Sequence, residues 1–328
     1  MKLKHFSPLL ALSFITLQAQ ESTSSYNVLR LPTSTHTAAL GGQNISLIED
    51  SPAAGWANPA LYANASDLSL GLDFMTYFGG SSWMGAEFTK AVGERHTVAV
   101  NAHYMNYGKM DATDTEGNIT GTFSAKDIVI GGGYSYLLSD RWSGGANVKF
   151  AFSSLADYTA VAMAFDLGVN YYNEETDFSA SATLQNFGLQ LSNYDDHVRN
   201  HLPFSLNLGL TKGMNHLPVR FHVTLVDLTR WKSSYYVIAN DDDKAPNFTR
   251  KALNHLVVGL DILPTDQIYL SVGYNFRRAY ELKASGSSHL AGISAGGGVN
   301  LSRFQFGLSY AKYHQAGNSL MFTAGYKL

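Results

Sequence analysis

The side chains able to do chemistry in this chain stand at alternate positions of long apolar–polar runs. Asp73, Glu87, Lys149, Asp166, Arg220 and Asp261 follow that spacing, and so do His103, His222 and His255. A positioned carboxylate can carry acid–base chemistry, and grouped histidines can hold a metal. Neither arrangement is complete. No nucleophile–base pair accompanies the acids, and no H-E-x-x-H or paired His spacing occurs. Asp241-Asp242-Asp243 lacks the loop pattern of a calcium site and reads as a solvated acidic loop. Gly131-Gly132-Gly133 and Gly296-Gly297-Gly298 lie inside strand patterns with no helix behind them, which excludes phosphate loops. Glycine within a strand marks a bend or a close backbone approach, and these positions leave space for another part of the chain. The residues therefore predict a protein that is not an enzyme, with no cofactor and no metal.

What must position these side chains is a series of strands. From Asp67 to the last residue, every second residue is apolar over spans of about 9–11 residues, the length that crosses an outer membrane at a tilt. Residues 67–77, 82–91, 96–107, 127–137, 141–152, 158–172 and 176–187 read this way. So do 203–211, 218–227, 254–263, 266–276, 290–301, 303–313 and 319–328. That makes 14 strands, and outer-membrane barrels of one chain take an even number. The links sort into two classes. Those at 93–94, 139–140, 173–175, 213–217, 264–265 and 302 are short, whereas 108–126, 188–202, 228–253 and 278–289 are long, as turns and surface loops of such a barrel should be. Trp142, Phe204, Phe276, Phe304 and Tyr326 fall near strand ends, where aromatic girdles sit. The acids and bases then face inward, and structural pairing inside a plugged lumen is favoured over a transport path or a binding site.

Composition agrees. Charged residues make up 15% of the 328, against about 25% in soluble domains. There are 19 Tyr, 18 Phe and 30 Gly, with no apolar run of about 20 residues to serve as a membrane helix. No Cys is present, so there is no disulfide framework. A formal charge of −3 supplies no basic patch for nucleic acid. Lys2, Lys4 and the apolar stretch 9–17 read as a secretory signal over residues 1–19. Residues 20–66 break the alternation and are rich in Gly, Pro, Ala and Asn. They are expected to form a hatch inside a barrel of residues 67–328. The fold class is thus all-β: a 14-stranded antiparallel outer-membrane β-barrel with an N-terminal plug in the lumen.

The long links carry the surface candidates. Trp231, Tyr235, Tyr236 and Phe248 stand among charges in 228–253, while Asp111 and Asp114 stand in 108–126. Rim aromatics suit a protein contact, and folding back onto the barrel mouth is the other reading.

The hatch contains Leu40-Gly41-Gly42 and Asn58-Pro59-Ala60. This pairing resembles the hatch of FadL-like barrels, which also have 14 strands. Other stretches are more specific: Asn106-Tyr107-Gly108-Lys109, Gly121-Thr122-Phe123-Ser124-Ala125, Leu202-Pro203-Phe204, His216-Leu217-Pro218-Val219-Arg220-Phe221 and Asp227-Leu228-Thr229-Arg230-Trp231. With the hatch they resemble the PorV/PorQ barrels of the type IX secretion system, in the same order over nearly the whole chain after the signal. The resemblance implies an outer-membrane barrel that anchors a PorZ-like surface protein. Its surroundings would be membrane lipid and an attachment complex with a PorU-like sortase and a PorV-like barrel, which handles cargo bearing C-terminal signals and involves lipopolysaccharide. The alternative is a FadL-like transporter of fatty acids or other hydrophobic small molecules. That reading needs an apolar pocket between hatch and lumen, whereas the inward positions are mostly Ser, Asn, Gly and charge.

Overall fold

A computed structural model describes residues 26–192, 201–214, 216–232, 246–281, 291–314 and 317–328. The expected signal over residues 1–19 lies outside them. Alternation with period 2 puts successive side chains on opposite faces of a pleated strand. The chain carries this pattern through β1 (Ser69–Thr76), β2 (Ser82–Val92), β3 (His96–Thr113), β4 (Ile119–Leu137), β5 (Trp142–Leu155), β6 (Tyr158–Asn173) and β7 (Phe178–Ser192). It continues through β8 (Ser205–Met214), β9 (Leu217–Leu225), β10 (Leu256–Thr265), β11 (Ile268–Asn275), β12 (Ile293–Asn300), β13 (Phe304–His314) and β14 (Gly317–Lys327).

Each strand pairs antiparallel with its sequence neighbour, and β1 closes on β14 from Ser69↔Lys327 to Thr76↔Leu320. Closure leaves no free edge along the paired wall. The outer face is apolar: Leu72, Val100 and Leu270 are each more than half exposed there. The inner face is buried and polar, with Asp73, Glu87, Asn101, Lys149, Asp166, Asn207, Thr224 and Asp261 covered. This is the in–out pattern of a transmembrane barrel.

Short turns gather at one end of the wall, called the turn end below, and the other end is the rim. Two expectations at the rim need correction. The link 108–126 is not a loop. Strands β3 and β4 run on through it as a two-stranded ribbon, pairing Lys109↔Ser124 and Ala112↔Gly121, and only residues 114–118 connect them. Lys109, Asp111, Thr122 and Ser124 line its exposed side, and only Met110, Ala112 and Phe123 alternate with them, a run too short to announce a strand. Phe276 does not end a strand but begins the rim helix α4 (Phe276–Glu281), after the short helix α3 (Phe248–Asn254).

Residues 26–66 lie inside the wall as the hatch. It consists of a 3₁₀ turn (Asn27–Arg30), α1 (Thr35–Ala39), α2 (Ala54–Ala57) and a second 3₁₀ turn (Pro59–Asn64). Its first turn places Tyr26, Val28 and Leu29 in an apolar cluster with Met75, Trp83, Met105 and Met321 of the rim half.

Candidate functional site

Local chemistry explains the two hatch motifs. Ser34 caps α1 by accepting the Thr37 N–H at 3.1 Å. Gly41 and Gly42 end it with φ of 97° and 81°, values glycine adopts freely. The Gly42 N–H donates to the Thr37 carbonyl at 3.0 Å, the six-to-one bond of a Schellman cap. The Gly41 N–H instead leaves the helix and donates to Ser294 Oγ of β12 at 2.9 Å. Leu40 is fully buried, and a Cβ on Gly259 of β10 would collide with it. Asn58 accepts the Ala60 N–H at 3.1 Å with Pro59 at the first position of the turn, a cap followed by a residue pre-set for helix. Its amide donates to the Ile45 carbonyl at 2.8 Å, joining two hatch segments.

Glycines of the wall receive the hatch. A Cβ on Gly145 would strike the Pro59 carbonyl, and one on Gly168 the Asn58 side chain. Gly131 and Gly133 stand against Trp56 and Tyr62, and Gly296 against Ala39. The middle members Gly132 and Gly297 meet only wall atoms. In each triplet, inward-facing glycine gives the hatch the room the sequence called for.

Ionisable side chains line the same contact, some reaching the hatch and others pairing within the wall. His36 of α1 faces Glu49 through Nδ1 (3.0 Å) and Asp261 of β10 through Nε2 (3.1 Å), and it stacks on Tyr269 at 3.8 Å. An imidazole with a carboxylate at each nitrogen donates from both when protonated. His222 Nδ1 accepts from Asn44 (3.1 Å) and Thr211 (2.9 Å), so its Nε2–H donates to Asp261 at 2.9 Å. Ser271 also donates to Asp261, at 2.6 Å. Across the lumen, Lys149 of β5 pairs with Asp166 of β6 at 2.5 Å and lies 4.0 Å from the Trp56 ring. His103 meets Glu87 at 2.9 Å, and Thr323 donates to Asp73. Arg220 sits nearer the turn end, paired with Asp177 at 3.1 Å.

None of these groups forms a reactive set. Gly292-Ile293-Ser294-Ala295-Gly296 has the spacing of a nucleophile elbow. Yet Ser294 lies within β12 with no helix behind it, donates to the Ala39 carbonyl at 2.7 Å, and is fully buried. Ser271, Asp261 and His222 meet, but the hydroxyl bonds to the acid and not to the imidazole, so the order of a Ser–His–Asp triad is not formed. Among the described residues no group of three or more His, Asp or Glu could hold a metal. Two cavities between hatch and wall hold about 40 and 20 Å³, against roughly 300 Å³ or more for a small-molecule site.

The surface candidates do not form one cluster. Trp231 stacks on Phe248 at 5.9 Å and meets His255 at a tilt at 4.4 Å, and its indole donates to the Leu228 carbonyl at 2.7 Å. Phe248 stays exposed. Trp231 thus packs against the rim with part of its ring still exposed, and Phe248 projects beside it. Tyr235 and Tyr236 lie outside the described residues. Asp111 belongs to β3, opposite Thr122, and not to a loop. Asp114 builds its own turn: Oδ1 accepts the Glu116 and Asn118 N–H groups at 2.9 Å each. The Asn118 side chain and these backbone N–H groups hold its carboxyl below the usual range. What sequence reasoning missed is Asp227, which binds Arg30 of the hatch and Arg277 of α4.

No family model matches the chain, and no curated protein matches it in sequence. Solved structures do resemble it. The toluene transporter TodX of Pseudomonas putida superposes with a TM-score of 0.54 at 15% identity, over 90% of this chain and 97% of that one. A Pseudomonas aeruginosa FadL homologue gives 0.54 at 12% identity, over 90% and 98%. The monoaromatic hydrocarbon channel CymD gives 0.54 at 13%, over 90% and 97%. Identities this low show the fold alone. The chain is a closed 14-stranded antiparallel barrel with the fold of FadL-like outer-membrane proteins.

Proposed function

We propose that this protein is a closed outer-membrane barrel that anchors a surface partner, in the manner of the PorV/PorQ barrels of the type IX secretion system. The observation that carries the reading is the filled lumen. Hatch and wall meet through backbone-to-glycine contact and the pairs His36–Asp261 and Arg30–Asp227, and among the described residues the two cavities seen between them hold about 40 and 20 Å³. A barrel filled in this way has its working surface outside. The rim offers the exposed Phe248 beside Trp231, and the β3–β4 ribbon stands clear of the wall. The partner is a PorZ-like surface protein within a complex that includes a PorU-like sortase and a PorV-like barrel, with membrane lipid and lipopolysaccharide around it.

A second reading is passage of hydrophobic small molecules. It rests on the likeness to TodX, a toluene transporter, and CymD, a monoaromatic hydrocarbon channel. The structural comparisons favour this reading over anchoring. It requires the hatch to move, because the apolar cluster around Met75, Trp83, Met105 and Met321 is occupied by Tyr26, Val28 and Leu29.

Co-purification from detergent-solubilised outer membranes separates the two. Shortening the connection between β9 and β10 should leave a heat-modifiable barrel and release the surface partner. If the partner stays bound, and removing residues 26–66 changes uptake of a hydrophobic probe such as toluene or oleate, anchoring is wrong and passage is right.

A further inference from the structure

Asp227 stands where three parts of the chain meet. It follows β9 and opens the surface connection that carries Trp231. Its backbone is left-handed, with φ 56°, a conformation that a non-glycine residue keeps only when its surroundings hold it. The holding groups are present. Its N–H donates to Ser205 Oγ (3.2 Å) and Asn207 Oδ1 (3.0 Å) of β8, and its carbonyl accepts the Arg230 N–H (2.9 Å). The geometry thereby aims its buried carboxylate inward and upward at once. One oxygen receives Arg30 from the first turn of the hatch and Arg277 from α4, the latter at 3.0 Å. Arg277 also holds Glu281 one turn along α4, at 2.9 Å.

Rim and hatch touch again beside this point. Asn275 donates to the Gly41 carbonyl at 3.2 Å, while its oxygen accepts the Arg278 N–H at 3.0 Å and caps α4. The Arg278 guanidinium lies over Gly42, where a Cβ would collide with it. Rim helix, surface turn and hatch thus share one carboxylate and one neighbouring set of contacts. The fastening at the turn end is different. Lys327 meets Asp50 at 2.6 Å with both side chains partly exposed, and Asp50 bonds further to Ser66 of the hatch and Gln305 at the turn end of β13.

We propose that Asp227 is a clasp coupling the hatch to the extracellular rim, so that the seating of the hatch and the order of the rim are one equilibrium. Coupling of this kind is reciprocal: what disturbs the rim is felt by the hatch, and the reverse. The clasp operates whichever of the two functions holds, because it concerns only this chain. It gives a surface contact near Trp231 a direct line to the lumen.

The test uses the full-length barrel in detergent, with tryptic cleavage after Arg30 and after Arg277 followed by mass spectrometry. Asp227→Asn and Asp227→Gly both tolerate the left-handed turn, and both remove the charge that keeps two guanidinium groups together. Each should speed cleavage at both sites by about fivefold or more, while the heat-modifiable band shows an intact wall. Asp50→Asn should speed neither. If only one site opens, or neither does, Asp227 is no clasp. Equal opening of both by Asp50→Asn would also overturn the proposal, because the effect would then be general loosening.

Discussion

The two faces of the same strands are held by different physics. Outside, side chains such as Leu72, Val100 and Leu270 have only a solvent to match, and any apolar group of suitable size serves. Inside, nearly every position meets a particular partner: Lys149 an acid, Gly145 a carbonyl, His222 two donors and an acceptor. Adjacent residues can therefore differ completely in tolerance. Gly144 and Gly145 are neighbours in β5. A Cβ on Gly144 would find Leu138 at 3.5 Å, an ordinary contact, whereas one on Gly145 would run into the Pro59 backbone.

This contrast can be broken in three places. The largest effect is expected from Lys149→Met. It leaves Asp166 buried without its cation, which costs about 3–5 kcal/mol when one partner of a buried pair is removed. The temperature at which the folded band is lost on gels should fall, and adding Asp166→Leu should recover much of that loss. A double variant no more stable than Lys149→Met would mean that the pair does not govern this part of the lumen.

Next comes Gly145→Val against Gly144→Val. The inward change overpacks the hatch contact by about 1–3 kcal/mol and should speed hydrogen exchange in residues 58–64. The outward change adds a β-branched residue to a strand with room for it and should be neutral or slightly stabilising. Equal effects from both would erase the distinction between the faces. The smallest effect is expected from Asp114→Ala, which removes acceptors for Glu116 and Asn118 at the ribbon tip. Exchange of those two amides should rise while barrel melting stays unchanged.

The wall was legible because one periodicity answers one question. In a pleated strand the period is 2, so alternation states which face each residue takes once one face is apolar. All 14 strands were read that way, and Asp73, Glu87, Lys149, Asp166 and Asp261 were placed inward from spacing alone. Legibility failed where the apolar alternation is short and weak. The ribbon formed by Lys109–Thr113 and Thr120–Ser124 carries only Met110, Ala112 and Phe123 on its less exposed side, too few to set it apart from a loop. The hatch was recognisable by its lack of alternation, and its glycines and Asn58-Pro59 by their motif. Their partners were not, since nothing in Gly145 itself names Pro59.

Local chemistry in the sequence determined the strands, the face of each side chain and the caps of the hatch turns. Those features depend on residues within a few positions of one another. Only the tertiary structure decided that β1 meets β14 from Ser69↔Lys327 onward, and that Ala39 lies beside Ser294 and Arg30 beside Asp227. These pairs are 255 and 197 residues apart in sequence. Their meeting is set by how 14 tilted strands stagger as they close. That stagger belongs to the closed wall as a whole, and no single stretch of sequence contains it.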